Sequence, residues 1–370
     1  MFTIYGKDSK EDSLFAGGCD FVLELGEERK GTEIRLLQLT DMQVIDAGQC
    51  RTENRLRLDE KAAWTRENVE QQCYAHIRSL VAQTKPDMIF ITGDVVYGEF
   101  DDSGESLRDF IRFMDAFRIP WTLVFGNHDN EAAIGVERQC ELYASSRYCM
   151  FRRGKVSGNS NFTIGITCGG ELKRVLYMLD SNGCRHSIDP SVIKEAGIYP
   201  DQLEEMRQKA AVLKKVTGRE VPGFLAFHIP VDWFGKAELA KGYCTEETIP
   251  LYMIGVDVAQ ADDDFGFHLE PVKYINTDES FRETLHRCRI DGVFVGHCHK
   301  ITTCITYDSI KWVFGLKTGQ YDYHAPGQLG GTLITLSGIS DAFKVQHVPS
   351  LVPHGTFPKE ASAYREFFVE

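Results

Sequence analysis

No stretch of this chain approaches the roughly 20 consecutive apolar residues that a membrane-spanning helix needs, so no transmembrane segment is expected. The opening MFTIYGKDSKED lacks a basic patch followed by an apolar run, and no secretory leader is read there. Positive charge is scarce: 41 Lys and Arg against 54 Asp and Glu leave a formal net charge of −13. That excludes a general nucleic-acid clamp or a binder of anionic membranes, since both need basic surface. Phosphate chemistry survives the exclusion, because bound metal ions reverse the sign locally. Internal repeats, low-complexity tracts and Pro/Ser-rich linkers are also missing, so one domain over 1–370 is expected. The eleven cysteines follow no regular framework, which favours reduced thiols in a cytoplasmic protein.

What is present is a strand–helix rhythm. Ile34–Leu39 reads as a strand. The stretch 62–83 carries Val69, Cys73, Ile77, Leu80 and Val81 at helical spacing and stops at Pro86. Met88–Thr92 and Trp121–Phe125 read as further strands around a helix over Leu107–Phe117. Such alternation implies parallel strands with covering helices, and ligands then gather beyond the carboxyl ends of the strands. The second half reads differently. Asn161–Thr167 and Val175–Leu179 look like an antiparallel pair joined by a CGGE turn, followed by a helix over Pro200–Leu213. Phe224–Phe227, Val293–Val295, Trp312–Leu316 and Thr332–Leu336 read as short strands. The expected fold is therefore α/β, two mixed sheets packed as a sandwich with helices outside. The core spans about 34–336, with 1–33 as a peripheral segment and 230–290 as an insertion or lid.

Residues able to bind metal stand just past these strands: TDMQ at 40–43, TGD at 92–94, FGNHDN at 125–130, LAFHIP around His228, and GHCH at 296–299. Taken singly, each is weak. A GD after a strand is usually a turn, and a lone histidine before proline is usually a satisfied polar residue. GHxH is stronger, because its two imidazoles alternate along an extended segment and can address two ions. Collected in order, the set matches the needs of a two-metal hydrolytic site: a carboxylate able to bridge, and several further ligands for each of two ions about 3.5–4 Å apart.

In this order, D-x-[H/Q], GD, GNHD, H and GHxH, the chain resembles the calcineurin-like metallophosphoesterase superfamily. Within it the similarity is to the branch of plant purple-acid-phosphatase-like proteins and yeast Dcr2-type phosphatases. LLQLTDMQ, KPDMIFITGDVVYG, IPWTLVFGNHDNE, YMLDSNG, PGFLAFHIP and GQYDYHAPG carry that likeness. The resemblance implies a dinuclear centre at one edge of a two-sheet sandwich. Asp41, Gln43 and His299 would hold the first ion, Asp94 would bridge, and Asn127, His228 and His297 would hold the second. His128, held by Asp129 or a nearby carboxylate, would serve the leaving oxygen. The implied cofactors are two divalent ions, Mn²⁺ ahead of Fe, Zn or Mg. The implied reaction is hydrolysis of a phosphomonoester or phosphodiester by in-line attack of a metal-bridging hydroxide. Substrates of that class include phosphorylated small molecules and phosphoproteins.

Gln43 departs from the pattern, which usually places a metal-binding histidine there. An amide oxygen is a weaker and harder ligand than imidazole. A poorly held first ion follows, with Gln43→His expected to tighten it. The alternative is a catalytically weak or inactive binding module on the same fold. Tyr97 lies three residues after Asp94, within reach of a metal contact by spacing alone. On the substrate side, His324 in GQYDYHAPGQ and Arg185 after the YMLD strand are candidates for gripping a phosphate. Cys298 inside GHCH reads as packing, and ADDDFGFHLEP at 261–271 as an acidic lid or a plain surface loop.

Overall fold

The computed structural model describes residues 2–7, 15, 17–52, 55–244, 256–257, 263–325, 327–352 and 365–366. Near-continuous apolar runs mark strands covered on both faces, and three of them build the heart of the first sheet. Met88–Thr92 is buried throughout and pairs in parallel with Ile34–Leu39 on one side and Trp121–Val124 on the other. Gly330–Leu336 runs antiparallel to Ile34–Leu39, and Phe343–Pro349 closes the edge. The helix Arg66–Thr84 connects the first two of these strands. Thr65 caps it by accepting from the Asn68 amide, and Lys85 ends it in the left-handed conformation. The helix Glu105–Ala116 makes the next crossover, burying Leu107, Phe110, Ile111 and Met114.

The second sheet has eight strands, in the order Phe2–Tyr5, Phe21–Leu25, Phe162–Cys168, Glu171–Met178, Gly223–Ala226, Ile290–Val295, Ile310–Phe314, Cys304–Tyr307. Gly169 and Gly170, both at positive φ, make the tight turn between Phe162–Cys168 and Glu171–Met178. Two such residues in sequence suit a two-residue hairpin loop. The N-terminal segment is less peripheral than its polar sequence suggests. Phe21–Leu25 pairs in parallel with Phe162–Cys168 and buries Phe21, Leu23 and Leu25.

Period-two alternation then divides the second sheet's side chains between two cores. Phe224, Ala226 and Phe294 face the first sheet, whereas Leu225, Val293 and Val295 face the outer helices. Phe90 of the first sheet meets Phe294 of the second edge-on at 5.6 Å, and Gln38 Nε2 donates to the Val295 carbonyl at 3.0 Å. The result is a helix–sheet–sheet–helix sandwich. The outer helices on the second side are Pro200–Thr217, Asp232–Ala240 and Glu279–Arg287. Among the described residues no helix is long and apolar enough to cross a membrane. None of the eleven cysteines is disulfide-bonded, and each is buried or half-buried.

Of the expected lid, 245–255 and 258–262 lie outside the described residues. The part that is described is packed in place. Asp264 is buried and accepts from Tyr243 Oη and the Thr306 amide. His268 pairs with Glu238 at 2.8 Å, and Glu270 accepts from the Lys300 amide at 2.7 Å. These acidic groups hold the chain to the sandwich rather than facing solvent.

Candidate metal centre

Both sheets turn the carboxyl ends of their parallel strands toward one edge, and the loops there converge. Asp41 follows Ile34–Leu39, Asp94 follows Met88–Thr92, and Asn127 follows Trp121–Val124. His228 follows Gly223–Ala226, and His297 and His299 follow Ile290–Val295. Ligand atoms of Asp94, His228 and His297 lie within 4.8 Å of one another. His228 Nε2 is 3.2 Å from Asp94 Oδ2 and 3.3 Å from His297 Nδ1. His299 Nε2 is 3.3 Å from Asp41 Oδ1. The loops are bent hard to achieve this. Asp41, Gln43, Asp94 and His297 all have φ between +46° and +70°, a region that costs a non-glycine residue about 1 kcal/mol or more.

Glycine makes room for the bend. A Cβ on Gly126 would fall 2.1 Å from Asp94 Oδ1, and one on Gly296 would fall 2.0 Å from Thr40 Oγ1. The carboxylate of Asp129 fixes the Asp94 loop. It accepts from the amides of Asp94, Val95, Val96 and Gly126 at 2.8–3.1 Å. Asp129 is thus committed to backbone and does not hold His128. Glu131 does, with Oε2 2.7 Å from His128 Nδ1, and the ring stacks on Tyr97 at 3.8 Å. Tyr97 Oη accepts from Arg55 at 3.3 Å, so the tyrosine serves as a wall beneath His128.

The ligand imidazoles are oriented from outside. His228 Nδ1 lies 2.7 Å from the Thr92 carbonyl, and His299 Nδ1 lies 3.0 Å from the Tyr323 carbonyl. A carbonyl can only accept, so the proton sits on Nδ1 and Nε2 is left toward the centre. Burial alone would raise the Asp94 pKa, but the charges of His228 and His128 and the His228 hydrogen bond bring it down to about 2. Asp41 is likewise buried, and its hydrogen bond to His299 with the charges of His228, His299 and Lys317 holds it well below the usual carboxylate range. Burial opposes a charged His228, yet Asp94 and Asp41 raise it to about 9. Burial and the neighbouring His228 push His297 down to about 3. An ion that displaces the second proton of His228 frees Nε2, and the two ionised carboxylates with their imidazoles then make a donor set for a divalent cation.

The residues of one seat fit a divalent ion well. Asp94, His228 and His297 are clustered, and Asn127 Oδ1 is buried without a hydrogen-bond partner among the described residues. Such an orphaned oxygen is costly unless something binds it. A mixed oxygen and imidazole set suits several first-row divalent ions. In the other seat, Asp41 Oδ1 has His299 Nε2 beside it at 3.3 Å. Gln43 is different. Its Oε1 accepts from the ammonium of Lys317 at 2.6 Å, and the same ammonium donates to the Asp41 carbonyl at 3.0 Å. Lys317 is 1% exposed; burial pushes its pKa down against the opposing pull of Asp41, Asp322 and Asp94. Lys317 does not stand out in the sequence, because lysine ordinarily marks surface. Its one signal is position, just past the strand Ile310–Phe314 that runs parallel to Ile290–Val295.

The centre opens into a cleft of about 1000 Å³. Arg185 lines it together with Arg55, His186, Lys194 and Lys273, with Glu195 and Asp322 among them. His324 is fully buried instead, and the cleft wall there is formed by Asp322 and Tyr323. The thiol of Cys298 is 5% exposed, and burial pushes it well above its usual range, consistent with packing.

The calcineurin-like phosphoesterase family model matches residues 34–300. This chain belongs to that family. Among curated proteins it is 24% identical over 319 residues to probable inactive purple acid phosphatase 29 of Arabidopsis thaliana, covering 80% of this chain and 74% of the relative. It is 24% identical over 298 residues to phosphatase DCR2 of Saccharomyces cerevisiae, covering 76% of this chain and 47% of the relative. An uncharacterized protein of Schizosaccharomyces pombe matches at 24% over 286 residues, covering 76% and 48%. The chain therefore spans about half the length of the two yeast relatives. Among solved structures, a dimetal phosphatase from Danio rerio aligns with a TM-score of 0.46 at 9% identity, covering 86% of this chain and 99% of that one.

Proposed function

We propose that this protein is a divalent-metal-dependent hydrolase of phosphoric esters. The observation that carries the reading is the cluster of Asp94, His228 and His297 at converging strand ends, with Asn127, whose buried Oδ1 lacks a hydrogen-bond partner among the described residues, lining the same cleft. Those four residues would hold the ion, with Asp41 and His299 adjoining. A divalent ion there supplies charge neutralisation for the phosphate and a lowered pKa for water.

The chain's own groups do the rest. His128 faces the same cleft, and its imidazole is clamped between the Glu131 carboxylate and the Tyr97 ring. Burial works against a proton on this ring. Asp94 and Glu131 overcome that and raise its pKa to about 9. The protonated ring is the form that stabilises or protonates a departing alkoxide, and Glu131 is placed to favour it. Glu131 keeps Nδ1 engaged, which leaves Nε2 as the atom that meets the leaving oxygen. Arg185 and Arg55 on the rim supply guanidinium groups to the rest of an anionic substrate. The phosphomonoester or phosphodiester is either a small molecule or part of a protein.

One observation favours a second reading, a catalytically weak or inactive phosphate-binding module: the Lys317 ammonium occupies Gln43. Metal-titrated hydrolysis of p-nitrophenyl phosphate and bis-p-nitrophenyl phosphate separates the two and ranks monoester against diester. An enzyme turns over at least one of them in an ion-dependent way. A binding module turns over neither, yet retains inorganic phosphate.

A further inference from the structure

The two seats for metal ions are not equivalent, and the difference lies in the side chain that reaches into the first. Gln43 stands where a third ligand is needed beside Asp41 and His299. Lysine has three donors and no acceptor, so the amide group next to Lys317 Nζ must present oxygen, and Oε1 at 2.6 Å is therefore assigned by chemistry. The oxygen that would serve an ion is the one the ammonium holds. The second hydrogen bond, to the Asp41 carbonyl at 3.0 Å, ties Nζ to the same loop at a second point.

Backbone contacts make this placement rigid. The Thr318 amide donates to the Thr40 carbonyl at 2.9 Å, and the Gly319 amide donates to the Asp41 carbonyl at 3.2 Å. A Cβ on Gly319 would fall 2.0 Å from the Met42 carbonyl oxygen, so segment 317–319 lies directly against segment 40–42. From the other side, the Gly330 amide donates to the Lys317 carbonyl at 2.9 Å. Lys317 cannot swing out to solvent without opening this seam. An ion bound to Gln43 would sit beside a fixed positive charge in a buried place, where like charges repel strongly.

We propose that Lys317 takes the place of the first metal ion, so that the protein retains a single divalent ion, in the seat of Asp94, Asn127, His228 and His297, with the ammonium as a built-in cation beside Asp41 and Gln43. This rests on the metallophosphoesterase reading of the site but departs from the two-ion arrangement that the resemblance implies. It also alters the expectation for Gln43→His. Histidine at 43 leaves the ammonium in place, so that substitution alone does not add an ion.

The test counts ions without reference to turnover. The full chain is stripped with chelator, reloaded with Mn²⁺, freed of unbound metal by gel filtration, and analysed for manganese and by electron paramagnetic resonance. The wild type is expected to hold one Mn²⁺ per chain with the spectrum of an isolated ion, and Gln43→His the same. Lys317→Met, which keeps length and loses charge, and above all the Gln43→His/Lys317→Met pair, are expected to rise toward two ions with a spin-coupled spectrum. Circular dichroism verifies that each variant is folded. Two coupled ions in the wild type would overturn the proposal while leaving the hydrolase reading intact. One ion in a folded Gln43→His/Lys317→Met variant would overturn it as well, because Lys317 would not be what excludes the second. No retained ion in the wild type would overturn the metal reading itself and the inference with it.

Discussion

At the scale of single residues, the site depends on groups that touch no substrate. Glu131 holds Nδ1 of His128, and a neutral amide in its place would orient the ring without stabilising its proton. Glu131→Gln is expected to lower kcat by roughly tenfold with little change in KM, and His128→Ala by on the order of 100-fold. Steady-state kinetics on p-nitrophenyl phosphate checks both; equal losses in kcat and a rise in KM would indicate substrate binding instead. Gly126 is as exacting as any ligand, since an added Cβ would fall 2.1 Å from Asp94 Oδ1. Gly126→Ala is expected to weaken Mn²⁺ retention by at least about tenfold, comparable to disrupting a group that orients a metal ligand. Calorimetric metal titration measures it, and unchanged affinity would show that the loop relaxes.

At the scale of elements, the two sheets are tied together by polar as well as apolar contacts. His347 on the edge strand Phe343–Pro349 accepts from Thr332 Oγ1 at 2.9 Å and donates to the Thr302 carbonyl at 2.8 Å. Desolvation favours the neutral ring there and holds its pKa down at about 4. In the unfolded chain the imidazole titrates near 6.5. The unfolded state therefore binds more protons between pH 6.5 and 4, and the contribution of His347 to stability is complete above 6.5 and lost on acidification through that window. Thermal melts should show the wild type losing a few degrees more than His347→Gln between pH 7 and 4.5. Parallel curves would mean that His347 does not titrate with unfolding.

The central strands were legible in the sequence because they are buried on both faces. MIFIT at 88–92 and WTLV at 121–124 carry no polar residue but threonine. Phe343–Pro349 was not read as a strand, because an edge strand leaves every second side chain in water and needs only weak alternation. The helices Asp232–Ala240 and Glu279–Arg287 were equally hidden. One has a glycine at mid-length, and the other is polar apart from Phe281 and Leu285. Ligand positions stand out because each comes within a few residues of a strand's end, three of them (Asp94, Asn127 and His297) directly after a glycine. Lys317 and Glu131 do not, since their roles arise from pairings across 274 positions and across three. A single sequence displays the second kind weakly and the first not at all.

At the scale of the whole molecule, an acidic chain concentrates carboxylates, imidazoles and one ammonium at the common edge of two sheets. Arg55, Arg185, Lys194 and Lys273 line the cleft, and on the proposed function they would face the anionic substrate. Reversing one rim charge, Arg185→Glu, is expected to raise KM several-fold for a dianionic monoester while leaving ion retention unchanged. Equal KM values would remove Arg185 from substrate binding. On the proposed function, phosphoester hydrolysis depends on a divalent ion held through Asp94. Hydrolysis of p-nitrophenyl phosphate by the chelator-stripped full chain, titrated with Mn²⁺ beside Asp94→Ala, tests it most directly. Expected are no turnover without metal, recovery on adding Mn²⁺, and at least about a 100-fold loss in the variant, larger than that from disturbing an outer partner. Full turnover in excess chelator, or in Asp94→Ala, would contradict it.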